Sequence, residues 1–335
     1  MAKIKSRKKL FFKRTIACLS CILIIVCGIF YLGDRVRVIE VDRSMSAIDA
    51  FHELPKDSVE VMVYGGSRAW RGVNTPQLYM RYGIGAYNYG SNAKNFNTSY
   101  LMFKDSMKTQ NPKLILIETS YLDFNLRNTD VNAEIYSTKA LPNTVARKEY
   151  LNTVLGDNDA RKLSYYVPLL AFHDNWVNIE SKSFEDNSVS YNFQSTKGFY
   201  GTIGVTKIHL DPSQYFEQKA FHSDTLEMLE DIVSRCEERG TKIIFFTLPY
   251  SGEYNYNDAM KQFAESHGCD YINLFEKIEE IGIDRAEDFH DENHLNKNGA
   301  TKVALYLGEY IIENNDRFNI SDMRTVEGTI WENEE

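Results

Sequence analysis

The hydrophobic pattern divides the chain into regions with different rhythms. Residues 15–33 carry no charge and centre on Ile22-Leu23-Ile24-Ile25-Val26. From Val59 onward, apolar residues instead come in short runs separated by longer amphipathic stretches. The runs Val59-Glu60-Val61-Met62-Val63-Tyr64, Ala86-Tyr87-Asn88-Tyr89, Leu114-Ile115-Leu116-Ile117-Glu118 and Asp270-Tyr271-Ile272-Asn273 read as strands, as does 242–247. Helical spacing predicts helices over 99–108, 225–239, 256–267 and 300–314, and Ser67 opens another after the Gly65-Gly66 break. Alternating strand and helix predicts an α/β fold with a parallel sheet covered on both faces. In such folds the site lies beyond the carboxyl ends of the strands. Ser67, Gly90, Ser120 and Pro249 all follow strand ends.

This domain spans residues 58–315. Residues 125–221 break the rhythm with few strand signals and the aromatic-rich Leu163-Ser164-Tyr165-Tyr166-Val167-Pro168, and read as a partly helical insertion on the rim. Residues 34–57 read as a stalk with a short helix near 45–54, and the acidic tail 316–335 as loose.

Charge changes the picture at the N-terminus. Lys3, Lys5, Arg7, Lys8, Lys9, Lys13 and Arg14 place seven positive charges in the first fourteen residues. At roughly 1.5 Å per residue the uncharged span that follows reaches about 28 Å, close to a bilayer's hydrocarbon thickness. The basic flank stays cytoplasmic by the positive-inside tendency, which puts the domain outside, at the end of one transmembrane helix. Three alternatives stay open: a cleaved signal peptide, a lipoprotein signal at Ile24-Ile25-Val26-Cys27, and a buried core helix. Against the first, Gly33-Asp34-Arg35-Val36 offers no small-residue cleavage site. Against the second, Val26 is large for a lipobox, and against the third stands the basic flank. The chain carries −9 overall and its first fourteen residues +7, leaving −16 for the remainder. That argues against nucleic-acid binding, which needs a basic face. Cys236 and Cys269 are the two cysteines outside the span, and could pair in an oxidising compartment.

Two distant motifs carry the chemistry. A serine on a tight glycine turn after a strand, Gly65-Gly66-Ser67, is placed as an exposed nucleophile. Asp291-Glu292-Asn293-His294 supplies a base and, three residues away, a group to orient it. Together they propose a Ser-His-Asp acyl-transfer site. Blander readings exist for each. Ser67 could be a helix N-cap, and the downstream block a polar turn capped by Asn296. His173, near Trp176, is a rival histidine that could equally be a packed residue. His290-Asp291-Glu292-Asn293-His294 imperfectly matches a zinc motif, but the Leu295-Asn296-Lys297-Asn298-Gly299 that follows favours a loop over the helix such ligands need. The expectation is therefore no metal and no cofactor, and neither common phosphate-cradling glycine loop occurs.

With those residues in view, residues 59–313 resemble SGNH/GDSL-type hydrolases, and within them the membrane-anchored bacterial members related to DltD and alginate O-acetylation proteins. The resemblance rests on Gly65-Gly66-Ser67-Arg68, Asn88-Tyr89-Gly90-Ser91, Asp291–Leu295 with Asn296 and Gly299, and Tyr166-Val167-Pro168 with His173 and Trp176. It implies a three-layer flavodoxin-like fold, Ser67 as nucleophile, His294 as base and Asp291 as its orienting partner. It further implies an oxyanion hole from the backbone N–H groups of Ser67 and Gly90, with Asn92 or Ser120 as third donor. The chain departs from the family at Gly66, where an acidic residue is usual. It departs again at Glu118-Thr119-Ser120-Tyr121, where the third family block has Asn. The implied function is an extracytoplasmic esterase or O-acyltransferase. Its substrates would be acylated cell-surface glycans, teichoic-acid-like polymers or small esters, with a membrane-bound O-acyltransferase as partner. The alternative is a non-catalytic accessory subunit that binds glycan or docks such an acyltransferase.

Overall fold

The computed structural model describes residues 2–35, 39–90, 92, 96–122, 148, 151–152, 162–167, 169–170, 173–179 and 192–331. Its helices are α1 (Ala2–Arg35), α2 (Ile39–His52), α3 (Ser67–Gly72), α4 (Thr75–Tyr82), α5 (Phe96–Ser106), α6 (Lys162–Tyr166), α7 (Ser223–Arg239), α8 (Asn257–Ser266), α9 (Ile278–Ile281), α10 (Lys297–Glu313) and α11 (Asn315–Phe318). The strands are β1 (Val61–Tyr64), β2 (Ala86–Asn88), β3 (Leu114–Glu118), β4 (Lys242–Thr247), β5 (Asp270–Asn273), β6 (Phe289–Asp291) and β7 (His294–Leu295). The chain divides into two compact units, Met1–Asp42 with Asn158–Ser190 and Arg43–Asp157 with Tyr191–Glu335.

The first unit contains α1, α6 and a 3-10 turn over His173–Asn178. Within α1, Arg7–Gly33 is long and apolar enough to cross a membrane, a property that signal sequences share. Most of the 125–191 stretch lies outside the described residues. His173 is exposed, with Nδ1 3.2 Å from the Leu170 carbonyl.

The second unit is a three-layer α/β structure around a five-stranded parallel sheet of order β2-β1-β3-β4-β5. Strand residues alternate between two faces. Val61, Val63, Leu116, Ile244 and Phe246 share a core with Val303, Leu307 and Ile311 of α10. On the opposite face Tyr64 meets Phe103 of α5, and Phe245 meets Phe263 of α8, both edge-on. Strands β1, β2 and β3 are buried along their whole length, as the continuous apolar runs require.

Three segments differ from the sequence expectations. The stalk is largely the helix α2, whose Ala47, Ile48, Ala50 and Phe51 are buried, with the Phe51 ring stacked on Tyr89 at 4.0 Å. The tail is not loose: Phe318, Ile320, Met323 and Trp331 are buried, and Trp331 stacks on Tyr79 at 5.5 Å. Isolated apolar residues among acids show no period, so composition alone conceals their burial. Residues 192–221 likewise belong to the body of the unit. Their carbonyls accept from Asn88 N at 2.8 Å (Lys197 O) and from Lys297 N at 2.7 Å (Thr202 O).

Candidate active site

The sheet order places the site. The connection leaving β1 runs toward β2 and the one leaving β3 runs toward β4, so the two diverge and open a crevice beyond the carboxyl ends of β1 and β3. The chain leaves β1 through Gly65-Gly66, and a Cβ at Gly65 would stand 2.6 Å from Ala69 Cβ and 2.9 Å from Glu118 Cβ. Only glycine fits that turn. Ser67 is then the first residue of α3, with Gly66 as N-cap and no side chain capping the helix. The serine side chain is thus not a cap. Its Oγ lies 2.7 Å from His294 Nε2.

Asp291 and His294 come from a small antiparallel ribbon in which β6 and β7 pair them directly. The expected loop is in fact this ribbon. His294 Nδ1 lies 2.8 and 2.9 Å from the two Asp291 carboxylate oxygens. Asn296 caps α10 by accepting from the Asn298 and Gly299 N–H groups, while its Nδ2 donates to Glu287 O at 2.6 Å. The Ser251 N–H donates to Glu292 O at 2.7 Å, tying the loop after β4 to the ribbon's turn.

Local charge biases these groups. Burial lowers the His294 pKa, the Asp291 hydrogen bond opposes this, and the positive Arg71 and Arg68 lower it further, leaving it below its ordinary value. Burial alone would raise the Asp291 carboxyl, but hydrogen bonds from His294 and the Asn293 N–H outweigh it and hold the carboxyl below its usual range. With the carboxylate fixing the proton on Nδ1, Nε2 presents a lone pair to the Ser67 hydroxyl. This arrangement can deprotonate a serine as it attacks a carbonyl.

The implied oxyanion donors are arranged differently from one another. Ser67 opens α3, so its N–H has no acceptor within that helix. The Gly90 N–H departs from expectation: it is donated to Asn88 Oδ1 at 3.0 Å. Glycine is needed there for another reason, since a Cβ would stand 2.8 Å from Trp70 N. Asn92 sits half-buried in the turn that follows. The Ser120 hydroxyl accepts from Arg68 Nη1 at 2.8 Å.

Sequence reasoning missed two neighbours of Ser67. Tyr121 reaches it with its phenol oxygen, 3.2 Å from Ser67 Oγ. Arg68, almost fully buried, lies over the Tyr250 ring at 3.4 Å and the Tyr121 ring at 4.4 Å, and donates to Asn293 Oδ1 at 3.3 Å. Behind it Glu118 is buried, accepting from the Ser120 N–H at 3.0 Å, and burial raises its pKa despite the nearby Arg68. The only signal for Tyr121 was its place, three residues past the end of β3 at the carboxyl edge of the sheet. Among the described residues no group of three or more His, Cys, Asp or Glu side chains is placed to hold a metal ion.

No protein-family model and no curated protein matches this chain. Among solved structures, it is similar to a "putative acylhydrolase" from Bacteroides fragilis NCTC 9343, at 13% sequence identity and a TM-score of 0.40, over 79% of this chain and 94% of that one.

Proposed function

We propose that the chain is a serine hydrolase or O-acyltransferase of SGNH type that works through an acyl-Ser67 intermediate. The unbroken hydrogen-bonded line from Ser67 Oγ through His294 to Asp291 carries this reading. Ser67 Oγ bonds to the ester carbonyl carbon, its proton passes to His294 Nε2, and the carbonyl π pair moves onto oxygen. Collapse of that intermediate breaks the bond to the leaving alkoxide, which takes the proton from Nε2. Water or a sugar hydroxyl then attacks the acyl-serine, with His294 as base again. The nature of that acceptor separates hydrolase from transferase.

The substrate we propose is an acylated cell-surface glycan or teichoic-acid-like polymer, reached outside the membrane from the α1 anchor, with a membrane-bound O-acyltransferase as partner. A cavity of about 560 Å³, with buried Tyr250 in its wall and the Ser67, His294 and Asp291 side chains outside its lining, supports a polyhydroxylated substrate: Tyr215 offers a ring face, and Asp211, Gln214 and Glu253 offer polar groups. Tyr250 also covers Arg68 beside Ser67.

A fluorophosphonate probe applied to the detergent-purified full chain tests the nucleophile. We expect labelling of the wild type and none of Ser67→Ala; equal labelling of both would remove Ser67 from the mechanism. A second reading is favoured by Gly66 and by the Gly90 N–H committed to Asn88: a non-catalytic accessory subunit that binds glycan or docks an acyltransferase. It predicts no labelling of the folded wild type, and full polymer acylation in cells carrying Ser67→Ala.

A further inference from the structure

We infer that Tyr121 is an oxyanion-hole residue, its phenol O–H standing in for the Gly90 N–H that this chain spends on Asn88. The inference rests on Ser67 being the nucleophile. It begins with which atom must donate. His294 Nδ1 carries the proton that faces Asp291, so Nε2 accepts the single proton of the Ser67 hydroxyl. Ser67 Oγ then has only lone pairs left for Tyr121, and the contact at 3.2 Å is the phenol donating to the nucleophile.

That donor is in place before the reaction and is needed elsewhere during it. When Oγ bonds to the carbonyl carbon, one lone pair becomes that bond and the O–H pair left by the departing proton replaces it. The negative charge settles on the former carbonyl oxygen, which becomes the stronger acceptor for the phenol. A phenol aimed at Oγ needs only a small rotation of its O–H to reach that oxygen. No proton is transferred to it, so the phenol only donates a hydrogen bond and is regenerated when the intermediate collapses.

Three features hold the group for this role. The Arg68 guanidinium lies against the Tyr121 ring at 4.4 Å, with Tyr250 on Arg68 at 3.4 Å, a packed layer that fixes the ring plane. Burial raises the Tyr121 pKa, with Arg68 opposing, so the phenol stays protonated at neutral pH. Among the other expected donors, the Gly90 N–H is already given to Asn88 Oδ1.

Ester hydrolysis by the detergent-purified full chain tests this, with Ser67→Ala as the control. Tyr121→Phe keeps the ring and its contact with Arg68 and removes only the O–H. We expect kcat to fall by roughly 10²- to 10³-fold, the range for loss of one oxyanion donor, with KM and thermal midpoint unchanged. A kcat within threefold of wild type, with Ser67→Ala inactive, overturns the Tyr121 inference alone. Equal activity in Ser67→Ala overturns the nucleophile assignment beneath it. Ring-fluorinated tyrosine at position 121 keeps the fold even if Phe does not. Its lower phenol pKa should move the alkaline limb of kcat to lower pH, and an unmoved limb would also overturn the inference.

Discussion

His294 must be neutral to take the Ser67 proton, so its environment sets the acid limb of the reaction. Burial, then Arg71 and Arg68, disfavour the imidazolium, and the Asp291 hydrogen bond only partly compensates. A depressed pKa keeps the base neutral to lower pH. The acid limb of kcat/KM is therefore expected below 6.5, the ordinary histidine value, with full activity above it. Arg71→Met removes a positive neighbour and makes protonation easier, so the limb should move to higher pH in a pH–rate profile. A limb that stays put or moves lower would show that Arg71 does not act on His294. At this scale the sequence was informative where chemistry is local. Asp291 and His294 are three residues apart, and Ser67 sits on a turn its own glycines make. Arg68 and Tyr121 carried no comparable signal, because their role depends on which rings the fold stacks together.

Among elements, the tail shows how composition misleads. Trp331 is fully buried, stacks on Tyr79 of α4, and would meet a Cβ at Gly85 within 3.0 Å of its indole nitrogen. It closes the lower end of β2, together with Met323, far along the chain from both partners. Trp331→Ala should cost about 3–5 kcal/mol, the range for truncating a buried aromatic, measured by urea denaturation. A loss under about 1 kcal/mol would mean that the tail is not part of the cooperative unit. The strands, in contrast, were plain in the sequence. Val61–Tyr64 and Leu114–Glu118 are continuous apolar runs because both sheet faces are covered, and such runs need no tertiary knowledge to find. Helix α2 was legible only as a short segment, since its apolar face alternates with Asp49 and other polar residues until Phe51 is seen against Tyr89.

For the molecule as a whole, the expected topology follows from the basic first fourteen residues and the uncharged span 15–33. The remainder carries a strong net negative charge, which anionic headgroups repel, so in the proposed topology a tether rather than charge would keep the site near a membrane. Protease added to intact cells should remove the acidic part and spare a membrane-embedded N-terminal fragment. A protected full-length chain would place the domain on the cytoplasmic side. A shortened soluble form released without protease would show that α1 is a cleaved signal.

The sequence by itself determined the periodic elements, the parallel α/β class and the two short motifs, because hydrophobic period and glycine turns are properties of neighbouring residues. Tertiary structure decided everything that depends on strand order. With β1 seated beside β3, the chain after Glu118 returns Tyr121 to Ser67 across 54 residues. The β6–β7 ribbon brings His294 to the same serine across 227. The engagement of the Gly90 N–H by Asn88 and the burial of Trp331 belong to the same class. Each is a contact between segments whose local patterns are independent, so only the packing of the sheet and its covering helices could select it.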